Sequence, residues 1–189
     1  EMSKENPIPS GMSKADYAEI MFQRCLNEDD DFDLLVMGRT QGKGCYCYVN
    51  GLLQAQMQKL LPGYKYMVVD NEAGMEHISR GILPKVDTLI LVSDCSRRGV
   101  QAAGRIAELA KDCNLNPKTM GLIVNRAPGG KLNSGTMEEI EKQGLTLLGV
   151  VPHDDQVYEY DCEGKPTVEL PDSSPVRVAL DEIINRLDL

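Results

Sequence analysis

The chain has 189 residues, 42% of them hydrophobic, and a formal net charge of -9. Such a length and apolar content suit one sizeable core, while the acidic balance argues against nucleic acid or an anionic membrane as partner, since both demand clustered basic surface. No apolar run approaches the roughly 20 residues that a membrane span needs, and no charged-apolar-small leader opens the sequence, so a soluble cytoplasmic protein is expected.

Residues 1–14, rich in Pro, Gly, Ser and Lys, read as a mobile lead-in, and residues 15–189 as a single α/β domain. Residues 15–26 place Ile20, Met21, Cys25 and Leu26 at helical spacing, which predicts a short amphipathic helix. An acidic turn over 28–31 follows. Leu34-Leu35-Val36-Met37 then forms a brief apolar run ending in Gly38, the pattern of a buried parallel strand that opens into a loop.

That loop holds Gly42-Lys43-Gly44-Cys45-Tyr46-Cys47. Thiolates are soft ligands for zinc, nickel or copper, and a Cys-x-Cys pair flanked by glycine can turn both sulfurs toward one metal. Two thiolates make half of a tetrahedral site, so Cys45 and Cys47 suggest a two-fold dimer with the metal on its axis. The bland alternative is two unrelated thiols on a loop. The six cysteines give no small-scaffold disulfide framework, which also favours metal or redox chemistry.

A helix over 49–61, ended by Pro62-Gly63, leads into a regular alternation. Tyr66-Met67-Val68-Val69-Asp70 and Leu89-Ile90-Leu91-Val92-Ser93-Asp94 read as strands with an acid at the carboxyl end. Residues 97–113 carry Val100, Ala103, Ile106, Ala107 and Ala110 on one helical face. A strand over 120–125, a Pro128-Gly129-Gly130 loop, a helix over 134–143, a strand over 147–151, a short segment over 167–170 and a helix over 175–187 complete the chain. Strands alternating with helices predict a mostly parallel, Rossmann-like sheet flanked by helices. Ligands in such sheets sit at the carboxyl ends of the strands.

The carboxyl rim would carry the Cys-x-Cys loop, Asp70, Asp94, Asn125-Arg126 and Pro152-His153-Asp154. An aspartate there either holds a magnesium-bound water or caps the next helix; for Asp94 the cap is the better reading. A phosphate-binding P-loop needs Gly-x-x-x-x-Gly-Lys-Ser/Thr. The nearest imitation, 38–44, has only three residues between Gly38 and Gly42 and puts Gly44 where the hydroxyl belongs, so no P-loop is read in this chain.

Gly44-Cys45-Tyr46-Cys47, the 70–77 run Asp-Asn-Glu-Ala-Gly-Met-Glu-His, Val124-Asn125-Arg126 and Val151-Pro152-His153-Asp154 stand together in an order that resembles one family. It is that of the nickel-insertion accessory ATPases of carbon monoxide dehydrogenase, the CooC type of the MinD/ParA class of P-loop NTPases, which is often grouped with CobQ/CobB proteins. The resemblance runs from about Asp33 to the end of the sequence. It implies ATP or ADP with magnesium as ligand, a homodimer, and a client metalloenzyme of the carbon monoxide dehydrogenase type. Cys45 and Cys47 would hold nickel or zinc, Asp70 would stand near magnesium and Gly74 near the terminal phosphate. Asn125 would contact adenine, with Pro152 and Asp154 lining the base site.

One departure is large. The family begins with a P-loop strand and a switch I aspartate, and neither precedes Asp33. Either the sequence is a piece of a longer ATPase, the preferred expectation, or its nucleotide chemistry is lost. In both cases the sheet would be incomplete or rearranged and these residues would not hydrolyse ATP alone. Two further functions compete: a non-catalytic metal-binding or regulatory adaptor with a dead nucleotide site, and, more weakly, a cobyrinic acid a,c-diamide synthase, for whose glutamine amidotransferase domain the chain has no room. His77 reads as a third metal ligand, a switch element or a surface histidine, and His153 as a metal ligand or part of a helix start with an acidic first turn. Cys25 and Cys113 suit core packing and Cys95 a reactive rim thiol, while the methionines fill core gaps.

Overall fold

The structure, a computed structural model, describes residues 8–36, 47–71 and 86–187, with side chains described throughout except at 47–50 and 52. The chain divides into two compact units, and the described residues fall as 8–71 in one and 86–187 in the other. Each is taken by itself.

In the first unit, α1 (Lys14–Cys25) starts at Ser13, whose hydroxyl oxygen accepts from the Asp16 N–H at 3.1 Å while its proton goes to the Asp16 carboxylate at 2.7 Å. This reciprocal bonding satisfies one of the amides that a helix start leaves without an intrahelical partner. A two-residue antiparallel ladder follows, β1 (Leu26–Asn27) against β2 (Leu34–Leu35). Next comes α2 (Cys47–Leu60), closed by a 3-10 turn at Leu61–Gly63 in which Pro62 cannot continue the α-helical bonding. An exposed Lys59–Glu19 pair at 2.8 Å joins the two helices, and the Tyr64 hydroxyl donates to the Asp33 carboxylate.

Two expectations are corrected here. The apolar run at 34–37 is not a buried parallel strand in its described part: it forms a two-residue antiparallel ladder, with Leu34 48% and Val36 68% exposed. The run over 66–70 forms no ladder among the described residues, and Val68 stands 92% exposed. In both places β-branched and aromatic side chains favour an extended backbone, but extension becomes a strand only when a neighbour takes up its N–H and C=O groups.

The second unit is α/β, as expected. Its elements in order are β3 (Thr88–Asp94), α3 (Arg97–Asp112), β4 (Thr119–Ala127), a 3-10 turn at Pro128–Gly130, α4 (Ser134–Lys142), β5 (Leu147–Pro152), α5 (Asp155–Glu163), a 3-10 turn at Thr167–Glu169 and α6 (Pro175–Arg186). The three strands make one parallel sheet in the order β3-β4-β5. Between β3 and β4 the register is unbroken, from Thr88 opposite Thr119 to Asp94 opposite Asn125.

Strand alternation divides the apolar residues between two cores. Leu91, Leu122 and Val124 meet Val100, Ala103 and Ala107 of α3 and Ile140 of α4 on one face. Ile123 and Val151 meet Ile183 of α6 on the other, with Leu148 and Val176 at its margin. Helix α6 docks close because residue 149 has no side chain: a Cβ there would lie 2.3 Å from Ile183 Cγ1.

A carboxylate is buried in the first of these layers. Glu139 of α4 is fully buried, and Arg97 at the start of α3 donates to its Oε2 from Nε at 3.2 Å and Nη2 at 3.0 Å, while Gln143 Nε2 donates to Oε1 at 2.8 Å. Hydrogen bonds from Gln143 and Arg97 hold the Glu139 carboxyl below its ordinary pKa, against the opposing effect of burial. A lowered folded-state pKa means that ionised Glu139 supports the fold above the ordinary glutamate range and that this support is lost as the pH falls through the depressed value. Unfolding curves taken between about pH 6 and pH 3 should therefore fall away less steeply for Glu139→Gln than for the unaltered chain. At neutral pH the variant should be the less stable of the two, because the Arg97 guanidinium loses its charged acceptor.

Candidate functional site

Parallel packing brings the carboxyl ends of β3, β4 and β5 to one rim, and the sequence decides what stands there. Asp94, the last residue of β3, lies opposite Asn125 of β4. Its Oδ1 accepts from the Ser96 N–H at 2.9 Å and the Ser96 hydroxyl at 2.6 Å, and the hydroxyl bond chiefly holds its carboxyl below the ordinary pKa. Ser96 in turn caps α3 by accepting from Gly99 N at 3.0 Å. Asp94 is thus turned back onto the start of its own helix, and a Cβ at residue 99 would come within 2.3 Å of its Oδ1.

Strand β4 ends in an irregularity. Val124 pairs with Val150 but Ala127 pairs with Pro152, so β4 spends one residue more than β5 over this stretch. The Asn125 Oδ1 accepts from the Arg126 N–H at 2.8 Å, and Arg126 adopts φ +57°. The Asn125 Nδ2 has no partner among the described residues and remains a donor. Beyond the bulge the two strands are tied once more, by the His153 N–H to the Ala127 carbonyl at 2.9 Å. The Pro128–Gly130 turn follows directly, with Gly129 at φ +60° and Gly130 at φ +68°. A Cβ on residue 130 would sit 3.6 Å from Pro152 Cβ, so Asn125, the glycine turn and Pro152 share one end of the sheet.

Asp154 belongs to the frame of this rim. It caps α5, its Oδ1 accepting from Gln156 N at 3.0 Å, and its Oδ2 accepts from the Ser174 hydroxyl at 3.1 Å. Ser174 is buried at the start of α6. One carboxylate therefore fastens the beginnings of two helices, a bond across 20 residues that no local sequence signal announces. His153 Nε2 lies 3.1 Å from Asp155 Oδ1 in the acidic first turn of α5.

The other site residues of the sequence reading lie elsewhere. Asp70 is exposed in the irregular 64–71 segment of the first unit. Cys47 is the first residue of α2, but its side chain lies outside the described residues, as do Cys45, Gly74 and His77 altogether. No group of three or more His, Cys, Asp or Glu that could hold a metal occurs among the described residues. Cys95 packs at the edge of the α3 core, and its carbonyl accepts from the buried Thr136 hydroxyl at 2.7 Å. Cys25 and Cys113 are exposed rather than in a core: Cys25 ends α1, and Cys113 sits at the C-cap of α3, where the helix has turned out of its apolar face.

A family model described as the CobQ/CobB/MinD/ParA nucleotide binding domain matches residues 34–168. An uncharacterized ATP-binding protein of Methanocaldococcus jannaschii is 36% identical over 186 residues, 97% of this chain and 72% of its own length. The carbon monoxide dehydrogenase accessory protein CooC of Rhodospirillum rubrum is 32% identical over 140 residues, 72% of this chain and 52% of that protein. Among solved structures, the MinD cell division protein of Aquifex aeolicus has a TM-score of 0.68 at 19% identity, covering 97% of this chain and 76% of its own. MinD of Pyrococcus horikoshii, solved with Mg-ADP, has a TM-score of 0.67 at 17% identity, covering 97% and 75%. The chain thus spans about three quarters of the solved structures and about half of the CooC protein.

Replacing Asp154 separates its two contacts. Asp154→Ala loses both the cap and the acceptor for Ser174 and should lower the unfolding free energy by about 1–2 kcal/mol in urea titrations. Asp154→Asn keeps a good cap and should lose less than half as much.

Proposed function

The chain belongs to the CobQ/CobB/MinD/ParA nucleotide binding domain family, and from that premise we propose that its sheet rim is the base side of an ATP site. The observation that carries the proposal is the convergence at one end of β4 and β5: an Asn125 amide whose Nδ2 has no partner among the described residues, a glycine turn with open space at Gly129, and Pro152. These groups suit a purine. An amide donor meets a ring nitrogen or carbonyl at the edge, a proline ring packs on its face, and glycines keep the approach clear. Asp154 acts from behind, holding the 152–153 segment through α5 and α6.

The phosphate side of the site is assigned to other parts of the family's domain. Asp70 would stand near magnesium, as a hard carboxylate oxygen suits that cation, and Gly74 near the terminal phosphate. No P-loop motif occurs in these 189 residues, so their contribution is binding and orientation of the nucleotide rather than its hydrolysis.

The finer reading concerns cargo. We propose that the protein is an ATP-binding metallochaperone, in which Cys45 and Cys47 from each of two copies hold one nickel or zinc ion for delivery to a metalloenzyme of the carbon monoxide dehydrogenase type. Support comes from the Cys-x-Cys spacing and from the likeness to the CooC accessory protein. Four thiolates from two chains complete a tetrahedral site that one chain leaves half built.

Metal content and mass decide it together. Purified chain should carry about one nickel or zinc per dimer, and Cys45→Ser with Cys47→Ser should lose the metal and run as a monomer at matched concentration. A metal-loaded dimer of the double variant would remove the site.

A further inference from the structure

The excursion between β5 and α6, residues 155–173, is lightly anchored. Helix α5 has no buried residue, and positions 161–169 are all exposed. The backbone bonds beyond α5 stay within the excursion: Gly164 N to the Asp161 carbonyl at 3.2 Å, Lys165 N to Tyr160 at 2.8 Å, Glu169 N to Pro166 at 3.0 Å and Leu170 N to Thr167 at 3.2 Å. A helix of nine residues does not hold by itself in water, so α5 depends on what it touches. It touches its own return. The Tyr160 hydroxyl donates to the Glu169 carbonyl at 3.4 Å, and the Lys165 ammonium, paired with Glu163 at 2.6 Å, lies 5.6 Å from the centre of the Tyr160 ring.

The excursion is joined to the rest at its foot and at one place beyond. At the foot, Asp154 accepts from the Gln156 N–H and the Ser174 hydroxyl, so the two ends are clasped across 20 residues. On the far side, Arg177 of α6 donates through Nη1 to the Leu170 carbonyl at 2.7 Å and the Val168 carbonyl at 3.5 Å, and pairs with the Asp172 carboxylate at 3.0 Å. Leu170, at the same place, is the single buried residue of the excursion. Arg177 itself stands on firm ground, because Val176 and Ile183 hold α6 to the sheet. Two main-chain carbonyls and a carboxylate thus meet one guanidinium, and a charged donor makes such bonds stronger than a neutral one does.

We propose that residues 155–173 form a strap that opens and closes as one unit, with Arg177 as its latch, at a cost well below that of unfolding the sheet. Local openings run in contiguous cooperative units, and few buried apolar contacts mark them. Here α5 and the 164–170 return hold each other, so neither is retained when the other leaves. Opening takes the Gln156 amide away from Asp154, and the state of the strap is therefore felt at the carboxyl end of β5. Any molecule that binds one form better than the other shifts this equilibrium, which makes the strap a control point built into the fold.

Hydrogen exchange of the whole chain, followed residue by residue by NMR, tests the strap. The bonded amides from α5 to Leu170 should share one protection factor, on the order of a hundredfold below that of β4. Arg177→Ala should lower that shared value about tenfold, the scale for losing bonds from a charged donor, and leave β4 as it was. Gly164→Ala should act alike from the other end of the strap: it forces a side chain into backbone at φ +67°, and a Cβ there meets nothing within 4 Å. Protection that fades gradually along the stretch, or that equals that of β4, would overturn the unit. So would a change in Arg177→Ala confined to Val168 and Leu170, or a matching loss in β4 in both variants. Unchanged protection of the strap in Arg177→Ala removes the latch, and in Gly164→Ala it removes the shared opening.

Discussion

The second unit depends on one strand. Strand β4 is paired on both sides and buried on both faces, with Leu122 and Val124 wholly enclosed and Ile123 nearly so. A strand in that position has no freedom to slip, because a shift of one residue would exchange the side chains of its two cores. Everything that stands at its carboxyl end inherits this fixity. Asn125 is placed by the register to β3, and Pro152 by the register to β5 resumed after the bulge.

Much of this unit is legible in the chain. The apolar runs of β3, β4 and β5, and the Val100, Ala103, Ala107 and Ala110 stripe of α3, are local patterns with local causes, and these four elements fall within a residue or two of their expected bounds, whereas the α5 helix is not among the expected elements. The last helix shows the same economy: Pro175 opens it, and Ile183 is the side chain that meets the sheet. The first unit reads less well because its apolar runs lack neighbours. Leu34, Val36 and Val68 have strand-like sequence and exposed side chains, and pairing is a property of two segments, not one.

The candidate site divides along the same line. Asn125 and Pro152 are found at strand ends by the general rule for parallel sheets, whereas the bulge at Arg126 is a difference of one residue between two strands and leaves no mark in either sequence taken alone. Glu139 is a sharper case. An acid in a surface-type helical pattern would ordinarily be assigned to solvent, yet Glu139 is buried, and Arg97, 42 residues earlier and itself exposed, reaches in to pair with it. Asp154 looks like a helix cap and is one, but its bond to Ser174 makes it also the fastening between α5 and α6.

Electrostatics then constrain how the rim can be used. Three helices that begin beside the sheet end carry their own caps, Ser96 on α3, Asn133 on α4 and Asp154 on α5, whereas the start of α6, which Asp154 reaches through Ser174, has no side-chain cap. A capped helix start has spent part of the N–H array that would otherwise cradle an anion, and in α5 the cap and first turn are themselves anionic. The start of α5 is therefore poorly suited to an anion. Arg126, exposed at the bulge of β4, is the positive group that this rim itself sets against those carboxylates.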